Sequence, residues 1–137
     1  MADAKPPTAV ELIWSDGVRF GATAGVNAIV VDGDGVAGPS PVQVAAIGLA
    51  SCMGADVAAI LTKGRHPLTA LRISFSGERA ATPPRRFTRM TLHFHVSGAV
   101  PSEAVERAIA MSRETYCSVW HSMRQDIDFI TSFDVRP

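Results

Sequence analysis

The chain of 137 residues has the length of one domain and can bury its own core without metal or disulfide staples. Its 13 basic residues balance 13 acidic ones, so no net positive field favours nucleic acid or anionic lipid as a partner. Two cysteines are too few for a disulfide scaffold, and the N-terminus shows no signal peptide. We therefore expect a cytoplasmic protein whose thiols are reduced or cycling.

The N-terminal part predicts three short strands. Residues 1–9 are small, polar and proline-bearing, so we expect them to be flexible, and we expect one domain over residues 10–137. Two apolar runs flank Ser15-Asp16-Gly17, as in a β-hairpin, and the β-branched stretch "VNAIVVDGDG" predicts a third strand. The loop "DGDGVAGPSP" follows, because glycine and proline break regular structure there.

A long apolar helix is predicted from Ser40 to about Lys63. Ser40 can cap its first N–H groups, Pro41 suits the first helical position, and Gly64 can take the left-handed conformation that ends a helix. Apart from Asp56 the helix has no charged stripe, so its whole circumference must be covered, and we expect a second subunit to contribute. We do not expect a membrane span, because Asp56 would be costly inside a bilayer.

The C-terminal half predicts two strands, two helices and a last strand. Apolar and polar residues alternate in "LTALRISFSGERA" and in "RFTRMTLHFHVSG", which indicates half-buried antiparallel strands. A helix beginning at Pro101 or Ser102 is expected to break near Thr115–Cys117 and to continue as a short second helix. "IDFITSFDV" predicts the final strand. The order β-β-β-α-β-β-α-α-β is that of an α+β domain.

Cys52 and Cys117 are the candidate reactive residues. A lone cysteine in an apolar helix usually packs as a small hydrophobe, and burial beside Asp56 would disfavour a Cys52 thiolate. A reactive Cys52 therefore needs a cation from elsewhere in the fold, for which Arg19 is the candidate. Cys117 lies near the restart of a helix, where free N–H groups would stabilise a thiolate.

Two other patterns suggest metal sites but are incomplete. His93 and His95 project from one strand face, yet they supply only two of the three or four ligands that a metal site needs. An exposed strand face is the more frequent explanation. The "DGDG" loop resembles the start of a calcium loop, but Gln43 stands where a bidentate glutamate would be needed. We expect neither a metal nor another cofactor.

Four segments in this order resemble the OsmC/Ohr family, and most closely its OsmC-like, YhfA-type branch. They are "GPSPVQVAAIGLASCMGADVAAIL", "HPLTALRISFSGERA", "RRFTRMTLHFHVSG" and "AVERAIAMSRETYCSVWHSM", and the resemblance extends from about Val10 to Val135. It implies an OsmC-like α+β fold in which antiparallel sheets wrap around a long central helix, assembled as an intertwined homodimer. The implied activity is that of a thiol-dependent peroxidase that reduces organic hydroperoxides.

The resemblance also implies roles for individual residues. Cys52 matches the peroxidatic cysteine and Cys117 the resolving one; Arg19 is the candidate for the activating arginine, and an external dithiol would restore the thiols. Gln43 replaces the family's usual glutamate, so it can accept a hydrogen bond from an arginine but adds no charge. This departure leaves open a non-catalytic dimer that binds a small apolar ligand or acts as a thiol redox sensor. Neither alternative implies a nucleic-acid or membrane partner.

Overall fold

The computed structural model describes residues 4–137, so the first residues of the segment expected to be flexible lie outside the described chain. The chain forms two compact units, Met1–Ala45 and Ala46–Pro137, which we call the first and second unit. Each described unit carries one three-stranded sheet, and the second also carries most of the helical residues. The predicted α+β class is confirmed. The expectation of one domain over residues 10–137 stays a prediction.

The first unit is an antiparallel meander of three strands. Strand β1 spans Glu11–Asp16, β2 spans Arg19–Ala24 and β3 spans Asn27–Asp32, in the spatial order β1-β2-β3. The β1–β2 turn carries Gly17 at φ 52°, a left-handed conformation that glycine adopts at no steric cost. The hairpin and the third strand are therefore confirmed.

Helix α1 spans Pro41–Lys63, as predicted, but its end differs in detail. Arg65, not Gly64, takes the left-handed conformation, at φ 59°. The Arg65 N–H donates to the Thr62 carbonyl and the His66 N–H to the Leu61 carbonyl, each at 3.0 Å. This pair of bonds is a Schellman motif, in which the left-handed residue is the second one after the last helical residue. The expectation for Gly64 is therefore wrong by one position.

The remaining elements lie in the second unit. In chain order they are β4 Ala70–Arg79, β5 Phe87–Ser97, α2 Ser102–Met111, a π-helical segment Ser112–Tyr116, α3 Ser118–His121 and β6 Asp128–Arg136. The break before Cys117 and the short helix after it are confirmed. The π-helical geometry of the break was not anticipated, because a single wider turn has no sequence period of its own.

The sheet of the second unit has the order β4-β5-β6. Strands β4 and β5 are antiparallel, as expected, whereas β6 runs parallel to β5. A parallel neighbour requires a long crossover between the two strands, and α2, the π-helical segment and α3 form that crossover. The sheet is therefore mixed.

One face of α1 and one face of β5 form the core of the second unit. The buried helix residues recur every four positions, which places them on one side of the helix. The buried strand residues alternate with more exposed ones, as the sequence predicted. These residues are Leu49, Met53, Val57 and Leu61 from α1, and Met90, Leu92, Phe94 and Val96 from β5. Burying each such side chain contributes about 1.5–3 kcal/mol to stability.

Helix α1 is, within residues 4–137, the one helix long and apolar enough to cross a membrane. The same length and composition occur in core helices of soluble proteins. Here Leu49, Met53, Val57 and Leu61 are buried in the core of the second unit, so packing within that unit accounts for one face of the helix. Its remaining surface is apolar as well, and Ile47 is 54% exposed.

Candidate functional site

Cys52 lies in the middle of α1, one residue before the fully buried Met53. Its side chain is half-buried and packs against the edge of the core of the second unit. Cys52 is therefore partly accessible to solvent and has apolar core residues beside it.

Cys117 is fully buried and marks the break between the π-helical segment and α3. Its backbone is extended, at φ −75° and ψ 96°, so the helix cannot continue through it. The Cys117 N–H donates to the Ser112 carbonyl at 2.8 Å, and the Trp120 N–H donates to the Cys117 sulfur at 3.4 Å. Cys117 is thus the N-cap of α3, in agreement with its predicted place at a helix restart.

The fold brings the two free thiols together. Burial, and to a smaller extent a hydrogen-bonding contact with Cys52, raises the pKa of Cys117 to about 11. The N–H groups of Trp120 and Val119 act in the opposite direction. The sequence correctly indicated these N–H groups, but burial outweighs them, so the Cys117 thiol keeps its proton at neutral pH.

A partly buried hydrogen bond links the two segments that carry the cysteines. Ser112 Oγ donates to Asp56 Oδ2 at 2.7 Å. Asp56 lies one helical turn after Cys52, and Ser112 is fully buried at the start of the π-helical segment. The sequence showed Asp56 as the charged residue of an apolar helix, but nothing in it indicated that Ser112 is its partner.

Arg19 is held by an acidic residue of the neighbouring strand. Its Nε lies 3.3 Å from Asp32 Oδ2, and the two residues face each other in the β2–β3 register. Asp32 is buried and also accepts N–H bonds from Asp34 and Ala37, each at 2.9 Å; these bonds, more than Arg19, lower its pKa. Arg19 belongs to the first unit and Cys52 to the second, so the activating role of Arg19 stays a prediction.

Gln43 completes a capping box at the start of α1. The Ser40 N–H donates to Gln43 Oε1 at 2.9 Å, and the Gln43 N–H donates to Ser40 Oγ at 3.2 Å. The predicted cap at Ser40 is confirmed. The side-chain oxygen of Gln43 therefore serves the helix terminus, and its proposed contact with an arginine stays a prediction.

Arg113 is a cation near Cys117 that no pattern in the sequence indicated. Its guanidinium lies 4.7 Å from the ring centre of Phe129 and 5.9 Å from that of Trp120, whose N–H bonds the Cys117 sulfur. Arg113 also lines an open cavity of about 470 Å³, together with Glu106 and Phe133. A cation placed beside aromatic rings of later elements has no local signature in sequence.

Comparisons with known proteins agree with this architecture. The family model described as OsmC-like protein matches residues 32–132. Protein YhfA of Escherichia coli strain K12 is 34% identical over 125 residues, which cover 89% of this chain and 93% of the relative.

Two solved structures extend the comparison. A hypothetical protein from Aquifex aeolicus VF5 superposes with a TM-score of 0.90 at 26% identity, covering 96% of this chain and 98% of its own. A Legionella pneumophila protein described as an organic hydroperoxide resistance protein OsmC superposes with a TM-score of 0.71 at 20% identity, covering 97% and 100%. The second likeness concerns the fold alone. The chain belongs to the OsmC-like protein family.

Proposed function

We propose that the protein is a thiol-dependent peroxidase that reduces organic hydroperoxides by cycling Cys52 and Cys117 between thiols and a disulfide. The observation that carries the proposal is the contact between a half-exposed thiol and a fully buried one, contributed by two segments far apart in sequence. Membership of a family that includes proteins described as hydroperoxide resistance proteins supports it.

The proposed cycle has three steps. The Cys52 thiolate attacks one oxygen of the hydroperoxide, the O–O bond breaks, and the other oxygen leaves as an alkoxide that takes up a proton to become an alcohol. Cys52 is then a sulfenic acid, oxidised by two electrons. The Cys117 sulfur attacks the Cys52 sulfur, forming a disulfide and releasing water, and an external dithiol returns both cysteines to thiols.

Burial supports assigning the first step to Cys52. A hydroperoxide can reach a half-exposed thiol, whereas Cys117 is fully buried. The pKa of Cys117, raised to about 11, keeps that thiol protonated at neutral pH, so it is a poor first nucleophile towards a peroxide; in the second step its proton leaves with the sulfenic hydroxyl as water. The apolar surroundings of Cys52 suit an alkyl hydroperoxide better than hydrogen peroxide. Arg19 is proposed as the cation that favours the Cys52 thiolate, with Gln43 in place of the family's glutamate.

We further propose that the protein works as a cytoplasmic homodimer. Several large apolar side chains of the first unit are exposed, among them Ile13 at 74% and Trp14 at 61%, and Ile47 of α1 is exposed at 54%. Exposed apolar surface of this kind is typical of protein–protein interfaces. A reducing compartment would keep both thiols available for the cycle.

The test is a titration of the reduced protein with cumene hydroperoxide, followed by counting free thiols. We expect rapid loss of both thiols, no loss in Cys52→Ser, and in Cys117→Ser a sulfenic acid that dimedone traps at Cys52. The matched control is Ser51→Ala, an exposed neighbour on the same helix. Thiols that remain unchanged after prolonged exposure of a folded, reduced protein would rule the proposal out.

A cavity in the first unit favours a second candidate function, binding of a small apolar ligand without catalysis. This cavity measures about 280 Å³ and is lined almost entirely by apolar residues, including Leu12, Ile29, Val31 and Val44. The use of Gln43 in the helix cap also fits this alternative. Saturable binding of a fluorescent fatty acid, weakened by Val31→Asp and accompanied by thiols inert to peroxide, would favour binding over catalysis.

A further inference from the structure

Strands β5 and β6 bring three potential metal ligands together on one face of the second unit. His93 and His95 are two residues apart on β5, so they share a face. On the parallel strand β6, Asp134 is in register with His95. Asp134 Oδ1 lies 2.6 Å from His93 Nε2 and 3.1 Å from His95 Nδ1. The sequence supplied two ligands; the strand pairing adds the third.

The other nitrogen of each imidazole has its own partner. His93 Nδ1 lies 2.7 Å from Ser132 Oγ, and His95 Nε2 lies 3.1 Å from Ser74 Oγ. In metal sites, a hydrogen bond at the outer ring nitrogen fixes the tautomer and the ring orientation, leaving the inner nitrogen free to bind the ion. The arrangement therefore has both the inner ligand atoms and the outer support of a metal centre.

The three ligand atoms lie within 4.8 Å of one another. A tetrahedral zinc site with bonds of about 2.0–2.1 Å separates its ligand atoms by about 3.4 Å. The His95–Asp134 distance is already close to that value, and the His93–Asp134 distance needs to open by less than about 1 Å. All three side chains are half-buried, at 28–37% exposure, so an ion can reach them from solvent.

We propose that His93, His95 and Asp134 bind a divalent transition-metal ion of the zinc type. Two imidazoles and one carboxylate match the ligand preference of such ions, whereas calcium and magnesium need more oxygen ligands. Three protein ligands leave one position for water or an external anion, as in open metal sites.

The charged neighbours leave these ligand atoms free. Arg136 approaches Asp134 through the other carboxylate oxygen, with Nε 3.7 Å from Oδ2. Arg72 donates to Ser74 Oγ at 3.3 Å, so it contacts the hydrogen-bond partner of His95 rather than a ligand atom. The competing explanation is a histidine–aspartate cluster without an ion.

The test is a titration of the double variant Cys52→Ser/Cys117→Ser with Zn²⁺ by calorimetry and with Co²⁺ by absorption spectroscopy. Removing both cysteines excludes thiolate ligands. We expect one ion per chain and a Co²⁺ spectrum without thiolate charge transfer. In the same background Asp134→Asn should abolish saturable binding, and Ser132→Ala should weaken it about 10–100-fold, as outer partners of metal ligands do.

Two control variants and one NMR spectrum distinguish metal binding at this cluster from metal binding elsewhere on the protein. His66→Gln and Asp128→Asn remove a histidine and a β6 carboxylate outside the cluster and should bind as the parent does. Histidine ring NMR should show shifts at His93 and His95 on adding Zn²⁺, with His66 and His121 unchanged. Absence of saturable binding, or equal affinity in a folded Asp134→Asn protein, overturns the proposal.

Discussion

Ser112 Oγ donates a 2.7 Å hydrogen bond to Asp56 Oδ2, and this bond joins the helix of Cys52 to the segment that precedes Cys117. Asp56 lies one turn after Cys52, and Ser112 lies five residues before Cys117, whose N–H bonds the Ser112 carbonyl. Ser112 therefore contacts the Cys52 helix through its side chain and Cys117 through its backbone.

Replacing Ser112 with alanine should lower stability by about 1–3 kcal/mol, because it leaves the Asp56 carboxyl without its buried donor. Urea unfolding followed by circular dichroism measures the change. Ser122→Ala is the matched control, since its hydroxyl donates at 2.7 Å to the Ser118 carbonyl at an exposed position. Equal losses of unfolding free energy in the two variants would show that the hydrogen bond to Asp56 contributes no more to stability than an exposed one.

The pKa of Cys117 predicts a stability loss in alkali. Burial raises that pKa to about 11, whereas an unfolded cysteine titrates near 8.5. As the pH rises, the thiol of the unfolded chain therefore loses its proton before that of the folded protein. The contribution of the Cys117 thiol to the free energy of unfolding is fully present below about pH 8.5. It is lost as the pH rises towards 11, by at most about 1.4 kcal/mol per pH unit. Unfolding midpoints across this window should fall more steeply for the parent protein than for Cys117→Ser; parallel profiles would contradict the assignment.

Arg19→Ala should slow the reaction of Cys52 with cumene hydroperoxide by about 100-fold, the lower range for loss of one preorganised charge in a catalytic site. Arg19→Lys should give an intermediate rate because the charge remains. Stopped-flow thiol loss measures the effect. Arg89→Ala is the control, since its ion pair with Asp128 is exposed at both ends. An unchanged rate in a folded Arg19→Ala protein removes Arg19 from the mechanism.

Ile47→Asp should shift the proposed homodimer towards monomer. This side chain is 54% exposed on an apolar helix, and a buried unpaired carboxylate opposes association. Sedimentation velocity at several concentrations measures the change. Ile130→Asp places the same charge on an exposed position of β6 and should leave the dimer intact. A parent protein that sediments as a monomer at all concentrations rejects the dimer.

Gly98→Ala should destabilise the second unit strongly. Gly98 has φ 120°, and a Cβ there would overlap the backbone carbonyl oxygen of Pro67. Such a backbone conformation costs a non-glycine residue about 1–3 kcal/mol before the overlap is counted. Gly35→Ala has φ 67° but open space around the added atom, so it should cost less. Thermal unfolding compares the two variants, and equal midpoints would refute the steric argument.

Local patterns predicted most elements because each one depends on neighbours in the sequence. The alternation in β5 identified its buried face, and Ser40 with Pro41 identified the start of α1. The left-handed residue after α1 is Arg65 rather than Gly64, because a Schellman motif is defined by two backbone bonds rather than by the presence of glycine. The resemblance implied antiparallel sheets, whereas β6 is parallel to β5, because its direction depends on how three helical segments cross over the sheet.

The candidate site shows the same division between local and long-range information. Cys52 and Cys117 were found by residue type and by family resemblance, and the fold brings them together. Ser112, Arg113 and Asp134 were missed, because each acquires its partner from an element far away in sequence. The sequence also did not indicate that Cys117 is fully buried, because its burial depends on the packed core around the sulfur.

The π-helical segment Ser112–Tyr116 fixes how many residues separate the end of α2 from Cys117. In an α-helix each residue advances the direction of a side chain by about 100°. A π-helical turn already holds about one residue more than an α-helical turn, so inserting a further residue beside the exposed Glu114 would turn the Cys117 sulfur away from α1 although no contacting side chain had changed. The thiol pair should therefore tolerate many substitutions in this stretch but no single insertion.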